Sequence, residues 1–149
     1  MRSLVVFSVL LLSGCGAGGG GAPGPASSFL ALRANLDDPD AYGLYLCGAD
    51  GSHLRRASGP LGLLYGVDDH HFSPDRTRIA YTDDQEVGDE KDLYVLDLPS
   101  GAPQKLTGPH QAGQYVSTIR WSPDGSQLLI YGDLEGDATY ALYVVSAAG

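Results

Sequence analysis

The sequence predicts an all-β protein made of about three copies of a four-stranded unit, with the two outer copies incomplete. Three observations predict this class. The chain repeats itself at an interval of 49 residues, a Ser-Pro-Asp turn recurs at the same place in two copies, and short apolar runs alternate with turn residues about every ten residues. Beyond the N-terminal apolar segment, no stretch shows the periodicity of a helix.

The internal repeat keeps separated motifs in step without a gap. A shift of 49 residues places Ser73-Pro74-Asp75 on Ser122-Pro123-Asp124, and Leu93-Tyr94-Val95 on Leu142-Tyr143-Val144. The same shift carries Leu44-Tyr45-Leu46 onto the second of these apolar motifs. A third copy of the unit is therefore present.

The middle copy contains four short segments of strand type. We expect strands near residues 67–72, 78–82, 93–97 and 104–107. A turn at Ser73-Pro74-Asp75-Arg76 separates the first two strands, because proline presets the backbone angle and the serine and aspartate side chains can bond nearby amides. The connection at 83–92 is polar and acidic, so we expect it to be solvated.

Four strands repeated every 40 to 50 residues are typical of β-propeller blades. One such sheet has two faces to bury, and neighbouring sheets can cover them. We therefore expect a partial propeller with blades near 29–59, 66–108 and 115–149. The first copy lacks its opening strand and the last copy lacks its closing strand, while Phe72 and Trp121 share one repeat position and are expected to pack between sheets.

Four segments resemble TolB-like propeller repeats, which are of the WD40-like, PD40 type. They are Phe72-Ser73-Pro74-Asp75, the segment 121–125, the segment 93–97 and the segment 44–56. The resemblance covers residues 29–149 and implies structural roles for the repeat residues Phe72, Ser73, Pro74, Asp75, Trp121, Ser122, Pro123, Asp124, Tyr45, Tyr94 and Tyr143. Such repeats occur in a periplasmic partner of the Tol-Pal system, in peptidase propeller domains and in polysaccharide lyases, so the resemblance implies a fold and leaves the activity open.

The N-terminus has the features of an export signal. Met1-Arg2 is followed by an apolar run at 4–12, which is too short to span a membrane. Leu12-Ser13-Gly14-Cys15 resembles the bacterial lipobox, which implies a signal peptide at 1–14 and acylation of Cys15. The alternative is an ordinary signal peptide that is cut elsewhere.

The expected location is the cell envelope, with the protein held at a membrane by its lipid. This means the periplasmic face or the outer membrane in a cell with two membranes, and the surface in a cell with one. Residues 15–28 combine the acylated cysteine with a linker rich in Gly and Pro. If Cys15 is acylated, Cys47 is left without a disulfide partner, and we expect it to be a small core residue.

Charge and motifs exclude several classes of function. The formal net charge of -9 disfavours nucleic acid and anionic lipid as partners. The pair His70-His71 follows Asp68-Asp69 and is the best candidate for metal ligation, but adjacent strand residues point to opposite faces, so one histidine at most could serve a given site. The carboxylates at 83–90 lack EF-hand spacing, and no Gly-x-Ser-x-Gly elbow is present. We predict no catalytic residue, no metal and no cofactor.

These observations favour a lipid-anchored envelope propeller module that binds a protein or peptide partner. The alternative is part of a propeller-type enzyme, either a metal-dependent polysaccharide lyase or the propeller part of a peptidase. A truncated or decaying reading frame is a third interpretation. Incomplete outer blades also predict either self-association or further blades in a longer protein.

Overall fold

The regular structure of the described residues consists of strands. The computed structural model describes residues 29–59, 66–86, 90–109 and 111–149, and these ranges contain no helix. No membrane-spanning helix is therefore found within them. The strands are β1 (Phe29–Ala34), β2 (Gly43–Gly48), β3 (Arg55–Arg56), β4 (His70–Phe72), β5 (Arg78–Asp83), β6 (Asp92–Asp97), β7 (Gln104–Lys105), β8 (Tyr115–Trp121), β9 (Gln127–Asp133) and β10 (Ala141–Ser146). The predicted all-β class is confirmed.

The strands form three antiparallel sheets in chain order. The first sheet is β1-β2-β3, the middle sheet is β4-β5-β6-β7, and the last sheet is β8-β9-β10. The described residues do not form a closed propeller. β4 begins three residues later than predicted. The backbone N–H of Val67 donates to Tyr42 O of the neighbouring sheet at 2.8 Å, and Asp68 and Asp69 both hydrogen-bond to Thr82 of β5, outside the regular ladder.

The 49-residue repeat is preserved in the strand boundaries. β2 begins at Gly43, β6 at Asp92 and β10 at Ala141. The isolated parallel bridges between sheets obey the same interval, since Tyr42 pairs with Gly66 and Lys91 pairs with Tyr115. Each copy is therefore joined to the next one by the same backbone contact.

Side chains of the middle sheet point alternately to its two faces, so the hydrophobic core consists of two clusters. Successive strand residues point to opposite faces. Ile79 and Tyr81 of β5 pack towards the first sheet, whereas Ala80 between them packs towards the last sheet. The first cluster comprises Ala31, Leu44, Leu46, Ala57, Val67, Ile79, Tyr81, Tyr94 and Leu96. The second cluster comprises Ala80, Leu93, Val95, Val116, Ile119, Leu128, Ile130 and Ala147.

The aromatic residues Phe72 and Trp121 occupy equivalent places in these two clusters. Phe72 is partly buried against the first cluster, and Trp121 against the second. Trp121 also binds the strand beside it, because its Nε1–H donates to His71 O at 2.9 Å. Both rings therefore help to join one sheet to the next.

Gly66 shows why the bridge between the first two sheets requires glycine. Its φ is 67°, a left-handed value that other residues rarely adopt. A Cβ at this position would lie 2.1 Å from Tyr42 O, which is far inside van der Waals contact. The close approach of the two backbones therefore depends on the absence of a side chain.

Candidate functional site

The two Ser-Pro-Asp turns have the same hydrogen bonds. Ser73 Oγ donates to Asp75 Oδ1 at 2.6 Å and accepts from the N–H of Arg78 at 3.0 Å. In the last sheet, Ser122 Oγ donates to Asp124 Oδ1, also at 2.6 Å. These side chains satisfy backbone hydrogen-bonding groups in the β4–β5 turn and in the β8–β9 turn. The two turns lie at the same end of their sheets.

These hydrogen bonds favour the ionised aspartates. The serine hydroxyl, followed by the backbone N–H two residues beyond each aspartate, lowers the pKa of Asp75 and lowers that of Asp124 to about 2. Both carboxylates are therefore charged at neutral pH, and they make their hydrogen bonds within their own turns. This arrangement favours a structural role for the two aspartates.

The three repeat tyrosines share one face of β2, β6 and β10. Tyr94 is buried and stacks on Tyr81, with ring centroids 5.4 Å apart. Tyr45 is buried and its hydroxyl donates to Asp37 Oδ2 at 2.8 Å, whereas Tyr143 is partly buried against the second cluster. Cys15, the predicted lipidation site, lies outside the described residues. Cys47 is a free, buried cysteine.

A charged cluster forms where β4 meets β8. Arg120 Nη1 lies 2.8 Å from His71 Nε2, and that nitrogen lies 3.0 Å from Asp69 Oδ2. His71 and Arg120 are 49 residues apart, so equivalent strand positions of two copies meet here. We call Asp69, His71 and Arg120 the first-strand cluster.

The tautomer of His71 decides which contact in this cluster is favourable. Nε2 carries either a proton or a lone pair, so it can donate to Asp69 or accept from Arg120, but not both. Burial alone would raise the pKa of Asp69, but the hydrogen bond and charge of His71 outweigh it, so that the pKa is lowered. Burial lowers the pKa of the neighbouring His70, which favours its neutral form.

The guanidinium of Arg120 is the most accessible member of the first-strand cluster, with 59% of its side chain exposed. Its contacts within the described chain, to Ile119 O and to the cluster, involve Nη1. Nη2 and Nε can donate together to a carboxylate, which is the two-point geometry that arginine favours. The cluster is thus suited to binding an anionic group.

A pair of buried carboxylates lies in the middle sheet, at the end of β5 and the start of β6. Asp83 and Asp92 are opposite each other in the β5–β6 register and both are buried. Asp92 binds Lys105 Nζ at 2.9 Å and accepts from Thr107 Oγ1 at 2.6 Å. The expectation of a solvated loop at 83–92 is wrong for its two ends, because strand pairing continues up to them and both side chains are buried.

Asp83 is the less satisfied member of this pair. Its Oδ2 accepts from Gln85 Nε2 at 2.7 Å, but its buried Oδ1 has no hydrogen-bond partner within the described ranges. Desolvation raises the pKa of Asp83 to about 7, and the charge of Asp84 adds to the effect. Such a carboxyl holds a proton near neutral pH, which is a property shared by catalytic acids and by strained structural acids.

A metal site does not emerge from the described ranges. They contain no group of three or more His, Cys, Asp or Glu residues that could hold an ion. His70 and His71 lie on adjacent positions of β4, and His71 is occupied by the first-strand cluster. Both histidines are partly buried.

An apolar surface covers the outward side of the last sheet. Leu142 and Val144 of β10 are 69% and 61% exposed, and Leu129, Tyr131 and Tyr140 are exposed as well. Leu142 pairs with Tyr131, and Val144 pairs with Leu129. We call these five residues the outward face.

Sequence reasoning did not single out Arg120 or Asp92, and it considered Asp83 only within the carboxylates at 83–90, although a signal was present for the two aspartates. The residues equivalent to Asp83 in the other copies are Ala34 and Gly132, and those equivalent to Asp92 are Gly43 and Ala141. A charged residue where the other copies are uncharged indicates a feature that belongs to one sheet alone.

Part of this chain is similar in sequence to part of a known peptidase. No family model matches the chain. It is similar to the Uncharacterized peptidase YuxL of Bacillus subtilis (strain 168), with 40% identity over 90 residues. The match covers 58% of this chain and 13% of that protein. The chain therefore corresponds to a small part of the relative's length.

Proposed function

We propose that this chain is a lipid-anchored envelope module of TolB-like propeller blades that binds a protein or peptide partner. The observation that carries the proposal is the first-strand cluster. In a propeller the sheets surround a channel, and β4 and β8 are the first strands of adjacent copies. The cluster would then lie where a partner segment enters between sheets.

The chemistry of the cluster favours a partner with a carboxylate. Arg120 supplies two donor positions, Nη2 and Nε, and arginine and tryptophan are the residue types that dominate binding energy at interfaces. Trp121 holds the backbone of His71 in place, so the histidine and arginine are positioned by a packed ring. An acidic side chain or a C-terminal carboxylate of a peptide fits this arrangement.

The proposal is tested by site-specific photocrosslinking in the cells that make the protein. A crosslinking residue replaces Thr118, which is partly exposed and lies two positions before Arg120 in β8, in one strain and Ser100, in the exposed β6–β7 turn, in another. We expect a discrete adduct from position 118 that is absent at position 100, that free acidic peptide competes away and that Arg120→Gln abolishes. Equal adducts from both positions, no adduct from position 118, or an adduct that Arg120→Gln leaves unchanged would contradict partner binding at the cluster.

A second candidate function is the propeller part of a peptidase, which the 40% identity to the Bacillus subtilis peptidase favours. In that case the partner of these sheets would be a catalytic domain in the same polypeptide. Detection of the native protein by antibody separates the two candidates. A band somewhat below 15.6 kDa, the mass of the chain before its signal peptide is removed, supports the anchored module, whereas a much larger band supports the peptidase.

A further inference from the structure

The imidazole of His71 lies between two groups of opposite charge. Its Nε2 is 2.8 Å from Nη1 of Arg120 and 3.0 Å from Oδ2 of Asp69. The guanidinium nitrogen and the carboxylate oxygen are themselves 3.7 Å apart. Because Nε2 can make a favourable hydrogen bond to only one of these neighbours at a time, the two contacts compete.

Asp69 competes with any other carboxylate that binds at Arg120. Burial would raise the pKa of Asp69, but the hydrogen bond and charge of His71 outweigh burial and lower that pKa, so Asp69 stays ionised in mildly acidic solution. At 3.7 Å from Nη1, its carboxylate attracts the same guanidinium that a partner would use. Partner binding should therefore depend on how strongly Asp69 and His71 hold this arginine.

Protonation of His71 changes the balance between these contacts. A neutral imidazole with its lone pair on Nε2 accepts a hydrogen bond from Arg120 and so holds the guanidinium. A charged imidazole carries a proton on both nitrogens, so Nε2 can only donate, and the acceptor beside it is Asp69. Its positive charge also repels the arginine. The charged form therefore pairs with Asp69 and leaves Arg120 available.

The other charged or titratable groups that face His71 do not supply this change. From β4 these groups are Asp69 and His70, and from β8 the group is Arg120. The residue opposite His71 on β5 is Ala80, which carries no charge. Burial lowers the pKa of His70, which keeps that histidine neutral in mildly acidic solution.

We propose that His71 regulates the first-strand cluster, because its charged form pairs with Asp69 and releases Arg120 to bind the carboxylate of a partner. This inference rests on the proposed function and adds its regulation. Histidine side chains gain their charge as pH falls from about 8 to about 5, so binding should tighten over this range. A partly exposed ion pair contributes little, so we expect roughly threefold to fivefold tighter binding at about pH 5.5 than at about pH 7.5.

Nuclear magnetic resonance titrations of the full chain test the proposal. The probe is a blocked peptide whose one charge is a glutamate side chain, and the backbone amide of Arg120 reports its binding. The parent should show the tightening with acid, whereas His71→Gln should not, because glutamine gains no proton. His53→Gln removes an exposed histidine outside the cluster and should behave as the parent does. Asp69→Asn should bind more tightly than the parent at about pH 7.5, because the competing carboxylate is gone.

A measurement without peptide separates this inference from the proposed function. The side-chain Nε–H resonance of Arg120 should move between the two pH values in the parent and stay in place in His71→Gln. A peptide that binds at neither pH value contradicts the proposed function. A change in affinity that the parent shares with His71→Gln, or an Arg120 resonance that does not move in the parent, overturns the regulation by His71. An unchanged melting curve verifies that each variant is folded.

Discussion

Replacement of Asp83 by asparagine should change how the stability of this protein depends on pH. The folded state raises the pKa of this carboxyl from 3.8 to about 7 because the group is buried and its Oδ1 has no hydrogen-bond partner in the described part of the chain. Between these two values the folded protein holds a proton that the unfolded chain has released. Stability therefore falls as pH rises from about 4 to about 7 and then levels off.

The magnitude follows from the same two values. A difference of about three pKa units, at about 1.4 kcal/mol per unit, makes ionised Asp83 cost about 4 kcal/mol at pH 8. The asparagine of the variant would carry no charge and would keep an oxygen to accept from Gln85. Asp83→Asn should thus be close to neutral at pH 4 and stabilising by about 4 kcal/mol at pH 8.

Urea unfolding, followed by the fluorescence of the single tryptophan, measures this effect at a series of pH values. The quantity to compare is the free energy of unfolding of the variant minus that of the parent, because the contributions of all other titrating groups cancel in the difference. Asp97→Asn, at the exposed end of β6, is the matched control for the loss of a carboxylate from this sheet. A flat difference for Asp83→Asn would refute the reasoning.

Three further predictions concern the sheets and the anchor. Trp121→Ala should lower the free energy of unfolding by roughly 3 to 5 kcal/mol, because it removes a packed ring and a hydrogen bond. Circular dichroism measures the loss. A melting temperature within a degree or two of the parent would contradict the packing. Gly66→Ala should destabilise the chain strongly. Gly51 also has a positive φ but has open space for a Cβ, so Gly51→Ala should cost only about 1 kcal/mol. Equal losses of stability would show that the close approach of the two backbones is not what requires glycine at position 66. Cys15→Ala should abolish metabolic labelling by a fatty-acid analogue, and an unlabelled parent protein would disprove acylation.

The repeat made most of the architecture predictable. The Ser73 and Ser122 turns and the tyrosine motifs placed the strands to within a few residues, because turn chemistry and alternation act locally. The position at which β4 begins was not predictable. Val67 is apolar and β-branched and suits a strand, but its N–H bonds to Tyr42 of another sheet, and such a pairing leaves no trace in the local pattern.

The candidate site was less predictable than the fold. His71 was noticed, but its contacts with Arg120 depend on how two sheets approach each other across 49 residues of chain. The acidic residues at 83–92 were expected to be solvated because carboxylates rarely occur in a core. The burial of Asp83 and Asp92 results from the length of β5 and β6, which tertiary packing determines.

The division of the core into two clusters has a consequence for how the molecule opens. The clusters share no residue, and only the middle sheet contributes to both. Removing the last sheet would disrupt one cluster, whereas exposing β6 requires that both be disrupted. Local opening should therefore start from the end of the stack. Amide protons of β10 should exchange with solvent faster than those of β6, although the two strands occupy the same place in the repeat and have nearly the same apolar sequence.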